Sequence, residues 1–241
     1  MAHFLKPKAL CATLGLVCCA GLAQAASLTV TVVDREGKPT ADAVVVLVPE
    51  GKNAQKAALP DSATITQEKM QFIPAVSVVP VGAKVRFVNN DPWDHHVRSS
   101  AAGAAQFAAA PAAGSSAPRG IDLRLEGKPD GKPAKSAEVT MDKAGAQSAT
   151  LLGCYLHGSM RGHVYVSDSP WAVKTNAEGL AVFDDLPDGK VAIKVWQADQ
   201  LIDLPVQNTS VGATPAKVNV QLQVVARKKR NETKPAAGSA Y

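Results

Sequence analysis

Residues 83–97 read AKVRFVNNDPWDHHV. Val85 and Phe87 alternate with charged and polar neighbours at period two, the pattern of a half-buried β-strand whose side chains point to opposite faces in turn. The alternation stops at Asn89-Asn90-Asp91-Pro92, a cluster of turn formers. Two adjacent histidines, His95 and His96, follow at once. A strand end that delivers imidazoles is the feature from which the rest of the chain is read.

Further along the chain the same period recurs. SLTVTVVD (27–34), AVVVLVPE (43–50), HVYVSDS (163–169), LAVFDDL (180–186), KVAIKVW (190–196) and AKVNVQLQVVA (216–226) are all β-rich. Almost no segment carries a helical period. Short strands punctuated by Gly, Pro and Asp predict an all-β chain of sandwiches with Greek-key connections. Residues 51–63 read as a polar, alanine-rich link. Residues 99–120, SSAAGAAQFAAAPAAGSSAPRG, are of low complexity, and Pro111 and Pro118 oppose a continuous helix. A long flexible loop is expected there, with Phe107 as its one anchor.

The N-terminus has Lys6 and Lys8 before an uncharged, mostly apolar run, then Ala23-Gln24-Ala25. That is the layout of a cleaved signal peptide over residues 1–25, and the run is too short to span a bilayer. The expectation is a periplasmic chain of about 215 residues with no membrane span. Cys11, Cys18 and Cys19 then leave with the signal and Cys154 alone remains. A single cysteine in an oxidising compartment forms no internal disulfide, and an unoccupied thiol there invites oxidation. The formal charge of +5 falls to +3 without Lys6 and Lys8, and RKKRNETK (227–234) holds five positive charges and one negative. The body is therefore near neutral, which argues against a nucleic-acid surface, and 227–241 reads as a basic disordered tail.

Residues 153–163, GCYLHGSMRGH, give the lone cysteine a purpose. Cys154, His157 and Met160 follow one another at intervals of three, with His163 after them. Thiolate, imidazole and thioether are soft to borderline donors and suit copper better than magnesium or calcium. Two histidines and a cysteine around a weak axial methionine form the ligand set of electron-transfer copper sites. A strand end upstream, at His95 or His96, supplies the second imidazole. Met160 as gap-filling core and Cys154 as an inert buried thiol are the plain structural alternatives.

CYLHGSMRG resembles the short copper loop of amicyanin-type cupredoxins, and VGAKVRFVNNDPWDHHV resembles the strand and turn that carry their upstream histidine, as in plastocyanins. LTVTVVDREGKPTADAVVVLVP and VKTNAEGLAVFDDLPDGKVAIKVW resemble the carboxypeptidase regulatory-like sandwich. Together they resemble the methylamine utilisation protein-like cupredoxins over nearly the whole mature chain. The resemblance implies a cupredoxin-like Greek-key sandwich over 64–168, inserted in or beside a regulatory-like sandwich made of 26–51 and 169–226. It implies one type 1 copper ion held by His95, Cys154, His157 and Met160, with His96 turned away. His163, which follows a glycine into the next strand, is read as a surface residue, with an approach to the site or a partner contact as the alternatives. The resemblance also gives Asn89 and Asn90 a role in tying the ligand loops together. From the residues themselves, Trp93 and Pro92 are read as shielding the site, with ordinary core as the alternative for Trp93, and Met70, an apolar side chain near the start of the inserted sandwich, is read as core. TLLGC departs from the pattern, because relatives often carry an aromatic residue shortly before the cysteine.

The function expected is one-electron transfer to redox protein partners, a dehydrogenase or cytochrome, in methylamine or related oxidation. Copper storage or delivery, and a metal-free interaction module, are the alternatives. Zinc fits Cys and His but is not favoured by methionine. No G-x-S-x-G turn, H-E-x-x-H helix or paired-carboxylate signature points to an enzyme.

Overall fold

The computed structural model describes residues 26–50, 59–101, 120–142 and 149–227. The expected signal peptide, Phe107, most of the 99–120 loop and most of the basic tail lie outside them. Sixteen strands and no helix make up the described residues. The chain is all-β, and its four sheets pack as β-sandwiches.

Strands β1 (Ala26–Val33), β13 (Leu180–Leu186) and β16 (Ala216–Gln221) form a three-stranded sheet in the order β13-β1-β16. It faces the four-stranded sheet β12-β2-β14-β15, made of β2 (Val44–Pro49), β12 (Ala172–Lys174), β14 (Gly189–Trp196) and β15 (Gln207–Val211). Alternate side chains Leu28, Val30 and Val32 meet Val45, Leu47, Phe183 and Ile193 in a core closed by Trp171. The period-two pattern read along β1 is this inward face.

Residues 62–167 supply the other two sheets. The five-stranded one runs β5-β11-β10-β7-β8, with β5 (Val76–Pro80), β7 (His95–Ala101), β8 (Asp122–Leu125), β10 (Thr150–Cys154) and β11 (Arg161–Ser167). The four-stranded one runs β4-β3-β6-β9, with β3 (Ser62–Glu68), β4 (Gln71–Ile73), β6 (Ala83–Asn89) and β9 (Lys135–Met141). Ile65, Phe72, Val85, Phe87, Val97, Leu152 and Val164 fill the space between them. Two boundaries move relative to the sequence reading. The pairing of β7 with β10 carries the strand to Ala101, inside the expected loop, and β3 begins at Ser62, inside the expected link.

The two pairs of sheets share a third core. Val44 and Val46 point away from Val45 and Leu47, into a seam with Val76, Tyr165, Ala172 and Trp196. The unbroken valine run of β2 is thus buried on both faces, which is why it shows no alternation. His163, expected at the surface, lies in this seam with its ring 5.5 Å from that of Trp196. Burial lowers its pKa from 6.5 to about 4.

Candidate metal centre

Three of the four sequence-derived ligands meet at one end of the 62–167 sandwich. His95 opens β7, Cys154 closes β10, and the register pairs Cys154 with Val97, so the histidine and the cysteine sit on adjacent strand ends. His157 comes from the loop that links β10 to β11. Cys154 Sγ lies 3.5 Å from His95 Nδ1 and 3.4 Å from His157 Nδ1, and the two nitrogens are 3.1 Å apart. Met160 follows on the same loop, folded back by its N–H to the His157 carbonyl at 2.9 Å. It is fully buried in the core cluster that holds Cys154.

The donor set fits a first-row metal ion. The point equidistant from the three donor atoms lies about 1.9 Å from each. Zinc bonds to these donor types measure ~2.0 Å for nitrogen and ~2.3 Å for sulfur, so an ion of that size fits between them. His95 is wholly buried and Cys154 is 6 % exposed, so water competes poorly for the position. A thiolate with two imidazoles selects copper over harder cations, and a thioether donor from Met160 would add to that preference. Those four residues would hold it.

A carboxylate fixes which nitrogen of His95 faces the centre. His95 Nε2 lies 2.8 Å from Asp91 Oδ2. With Nε2–H donating to that oxygen, Nδ1 carries the free lone pair turned toward Cys154 and His157, the carboxylate–histidine arrangement of metal sites. Asp91 is itself held by two backbone donors, Lys69 N–H to Oδ1 at 2.6 Å and Met70 N–H to Oδ2 at 3.0 Å. Lys69 and Met70 form the two-residue turn between β3 and β4, with φ of 52° and 57°. Left-handed backbone at two non-glycine residues costs about 1–2 kcal/mol each. The successive N–H groups of such a turn make a concave anion cradle, and Asp91 occupies it. Burial pushes the Asp91 carboxyl up, but the bonds from Met70, His95 and Lys69 outweigh it and hold the pKa below its ordinary value.

Asn89 performs the tying role expected of it. Its side-chain amide donates to the carbonyls of Trp93, Leu125 and Glu126, and its oxygen accepts the Asp91 N–H at 3.0 Å. That joins the β6–β7 turn to the end of β8. Asn90 is exposed, with its backbone N–H paired to the Gln67 carbonyl. A side chain at Gly127 would run into the Pro92 carbonyl, so the bare backbone there lets the turn close. Its N–H caps Asp94 Oδ1 at 2.9 Å.

Other expectations resolve differently. Met70 is 42 % exposed, because the left-handed turn that aims its N–H at Asp91 throws its side chain outward; the core placement is corrected. Trp93 is likewise 42 % exposed and does not belong to the core. His96 lies outside the donor triangle and its Nε2 pairs with Asp122 Oδ1, a bond that keeps the Asp122 carboxyl below its usual pKa. Its backbone N–H, however, points at Cys154 Sγ from 3.4 Å. Asp91 and Asp122 were missed by sequence reasoning. The signal for Asp91 was the N-x-D spacing of an Asx turn ahead of the histidine; nothing local marks Asp122.

No family model matches the chain, and no curated relative matches it. Among solved structures, an oxidised amicyanin variant is similar over 50 % of this chain and 98 % of its own, at 20 % identity and a TM-score of 0.31. A copper-containing nitrite reductase from Thermus scotoductus SA-01 is similar over 50 % of this chain and 25 % of its own, at 21 % identity and a TM-score of 0.33. A reduced amicyanin variant gives 18 % identity and a TM-score of 0.32, over 50 % of this chain and 98 % of its own.

Proposed function

We propose that this chain is an exported type 1 copper protein that carries single electrons in the periplasm. The observation that carries the reading is the donor triangle, two Nδ1 atoms and one Sγ with edges of 3.1–3.5 Å, largely removed from water, with buried Met160 in the same core cluster as Cys154. Copper supplies an electron by alternating between its two oxidation states.

The residues do the remainder. Asp91 and its backbone cradle hold the His95 ring in one tautomer. The His96 N–H donates toward the Cys154 sulfur and moderates its negative charge. Pairing of Cys154 with Val97 ties the thiol to the strand that begins at His95, so little rearrangement of those two donors accompanies a change of charge. His157 is half-buried on the loop, and Tyr155 and Leu156 beside it are exposed, so this imidazole is the exit for an electron to a protein partner. A dehydrogenase or a cytochrome of methylamine or related oxidation is the partner class we infer, with no catalysis by this chain itself. The 64–168 sandwich is the copper module and the sheets from 26–51 and 169–226 an accessory module.

Copper loading of the purified chain tests the reading. An intense visible thiolate-to-copper band with a reversible one-electron wave supports it, and a colourless copper complex refutes it. Storage or delivery calls for an open site, against which the burial of His95 and Cys154 counts.

A further inference from the structure

The five-stranded sheet has a second face, turned away from the donor triangle. Register fixes what it displays. Gly153 lies opposite Arg98 on β7 and opposite Arg161 on β11. Directly opposed residues share a face, so two guanidinium-bearing residues flank one without a side chain, two strand spacings of ~4.8 Å apart. A Cβ at Gly153 would meet only the Met160 carbonyl oxygen, at 3.9 Å, so the gap between them is open. A cavity of about 400 Å³ opens at this notch, lined by Arg98, Ser100, Gly153, Cys154, Gly158 and Arg161.

The charges are arranged for a ligand from outside. Arg161 is exposed and makes no ion pair among the described residues. Arg98 rests over the Tyr155 ring, 5.2 Å from its centroid, which steadies the guanidinium by its face and leaves in-plane N–H donors. The one carboxylate paired with it among the described residues, Asp122 at 4.0 Å, is already engaged by His96. The next row on this face, Ser100, Leu151 and His163, leads into the seam with the other sandwich. Clefts at such junctions are where small-molecule sites concentrate.

We propose that the notch over Gly153 is an anion site, in which Arg98 and Arg161 clamp the phosphate, sulfate or carboxylate group of a small molecule. Cys154 forms part of its wall, so a bound anion sits on the reverse side of the strand that carries the thiolate. Negative charge there favours the more highly charged state of an ion held by Cys154. Binding stands independently of any metal; only this coupling rests on the copper reading.

The test is titration of the full chain, metal-free, with inorganic phosphate and separately with succinate, followed by backbone amide NMR. Saturable shifts confined to residues near 98–100, 153 and 158–161 are expected, and the tighter anion identifies the class. Arg98→Gln and Arg161→Gln should each weaken binding about tenfold, the effect of losing one charge-assisted bond. Gly153→Leu should abolish binding by filling the notch with both charges retained, and Lys194→Gln, on the other sandwich, should change nothing. Shifts that never saturate, or wild-type binding in all three notch variants, overturn the site. With copper bound, phosphate should lower the reduction potential of the wild type, and its addition should leave that of Gly153→Leu unchanged. Binding without that shift would remove the coupling while upholding the site.

Discussion

Asp91→Asn probes the cradle beneath His95. The wild-type carboxylate accepts three bonds, one on Oδ1 from Lys69 and two on Oδ2 from Met70 and His95. An amide offers a single acceptor. With its nitrogen toward Lys69, donor faces donor and the left-handed turn loses its counterweight. With its nitrogen toward His95, the ring must carry its proton on Nδ1, inside the donor triangle. Either arrangement leaves a buried donor unpaired, which costs about 1–3 kcal/mol. Urea unfolding of the metal-free chain should register that loss. Copper affinity, measured by competition with a chelator, should fall about 10–100-fold, the usual cost of removing a partner behind a ligand histidine. The wild-type contribution should also fade in acid. The folded pKa lies below the ordinary 3.8, so the stabilisation is complete above that value and disappears as pH drops through the folded pKa. Asp91→Asn should lack that acid limb. Unfolding midpoints and copper affinities equal to those of wild type would refute the reasoning.

Three further outcomes follow from the same geometry. His96→Ala should keep copper affinity within about threefold, because only its backbone meets Cys154 and its pair with exposed Asp122 is screened by water; His95→Ala should lose tight binding, as chelator competition would show. His163, neutral in the seam until about pH 4 when folded but protonating near 6.5 when unfolded, should cost the protein up to about 3 kcal/mol as pH falls across that interval. His163→Phe should flatten that dependence in urea titrations run from pH 7 to 4. Met160→Leu conserves volume, so the metal-free chain should lose less than about 1.5 kcal/mol, while the copper potential rises for want of a thioether donor, as voltammetry would reveal.

The parts of this structure that a sequence can display are those with short range. Period two along 83–89, 180–186 and 190–196 returned strands at nearly those limits, since each alternation is a record of one buried face. Cys154 and His157 are legible together because the end of β10 and the start of the loop after it carry them three residues apart. What stayed hidden depends on meetings across the chain. The cradle for Asp91 is built by Lys69 and Met70, more than twenty residues upstream, and neither is a customary residue for a left-handed turn. The apolarity of Met70 points to the core, whereas its backbone conformation governs its place. Nothing near His163 in the sequence shows that Trp196 from a distant strand packs against it. The notch between Arg98 and Arg161 is likewise a product of register, invisible until β7, β10 and β11 are aligned.

The central claim is that His95, His157 and Cys154 grip one copper ion with the thiolate as a direct ligand. The most direct measurement is the visible absorption and EPR spectrum of the copper-loaded chain beside that of Cys154→Ser. The account predicts an intense sulfur-to-copper band in the wild type that vanishes in the serine variant. A band that persists without the thiol, or a wild-type chain that binds copper without one, would contradict it.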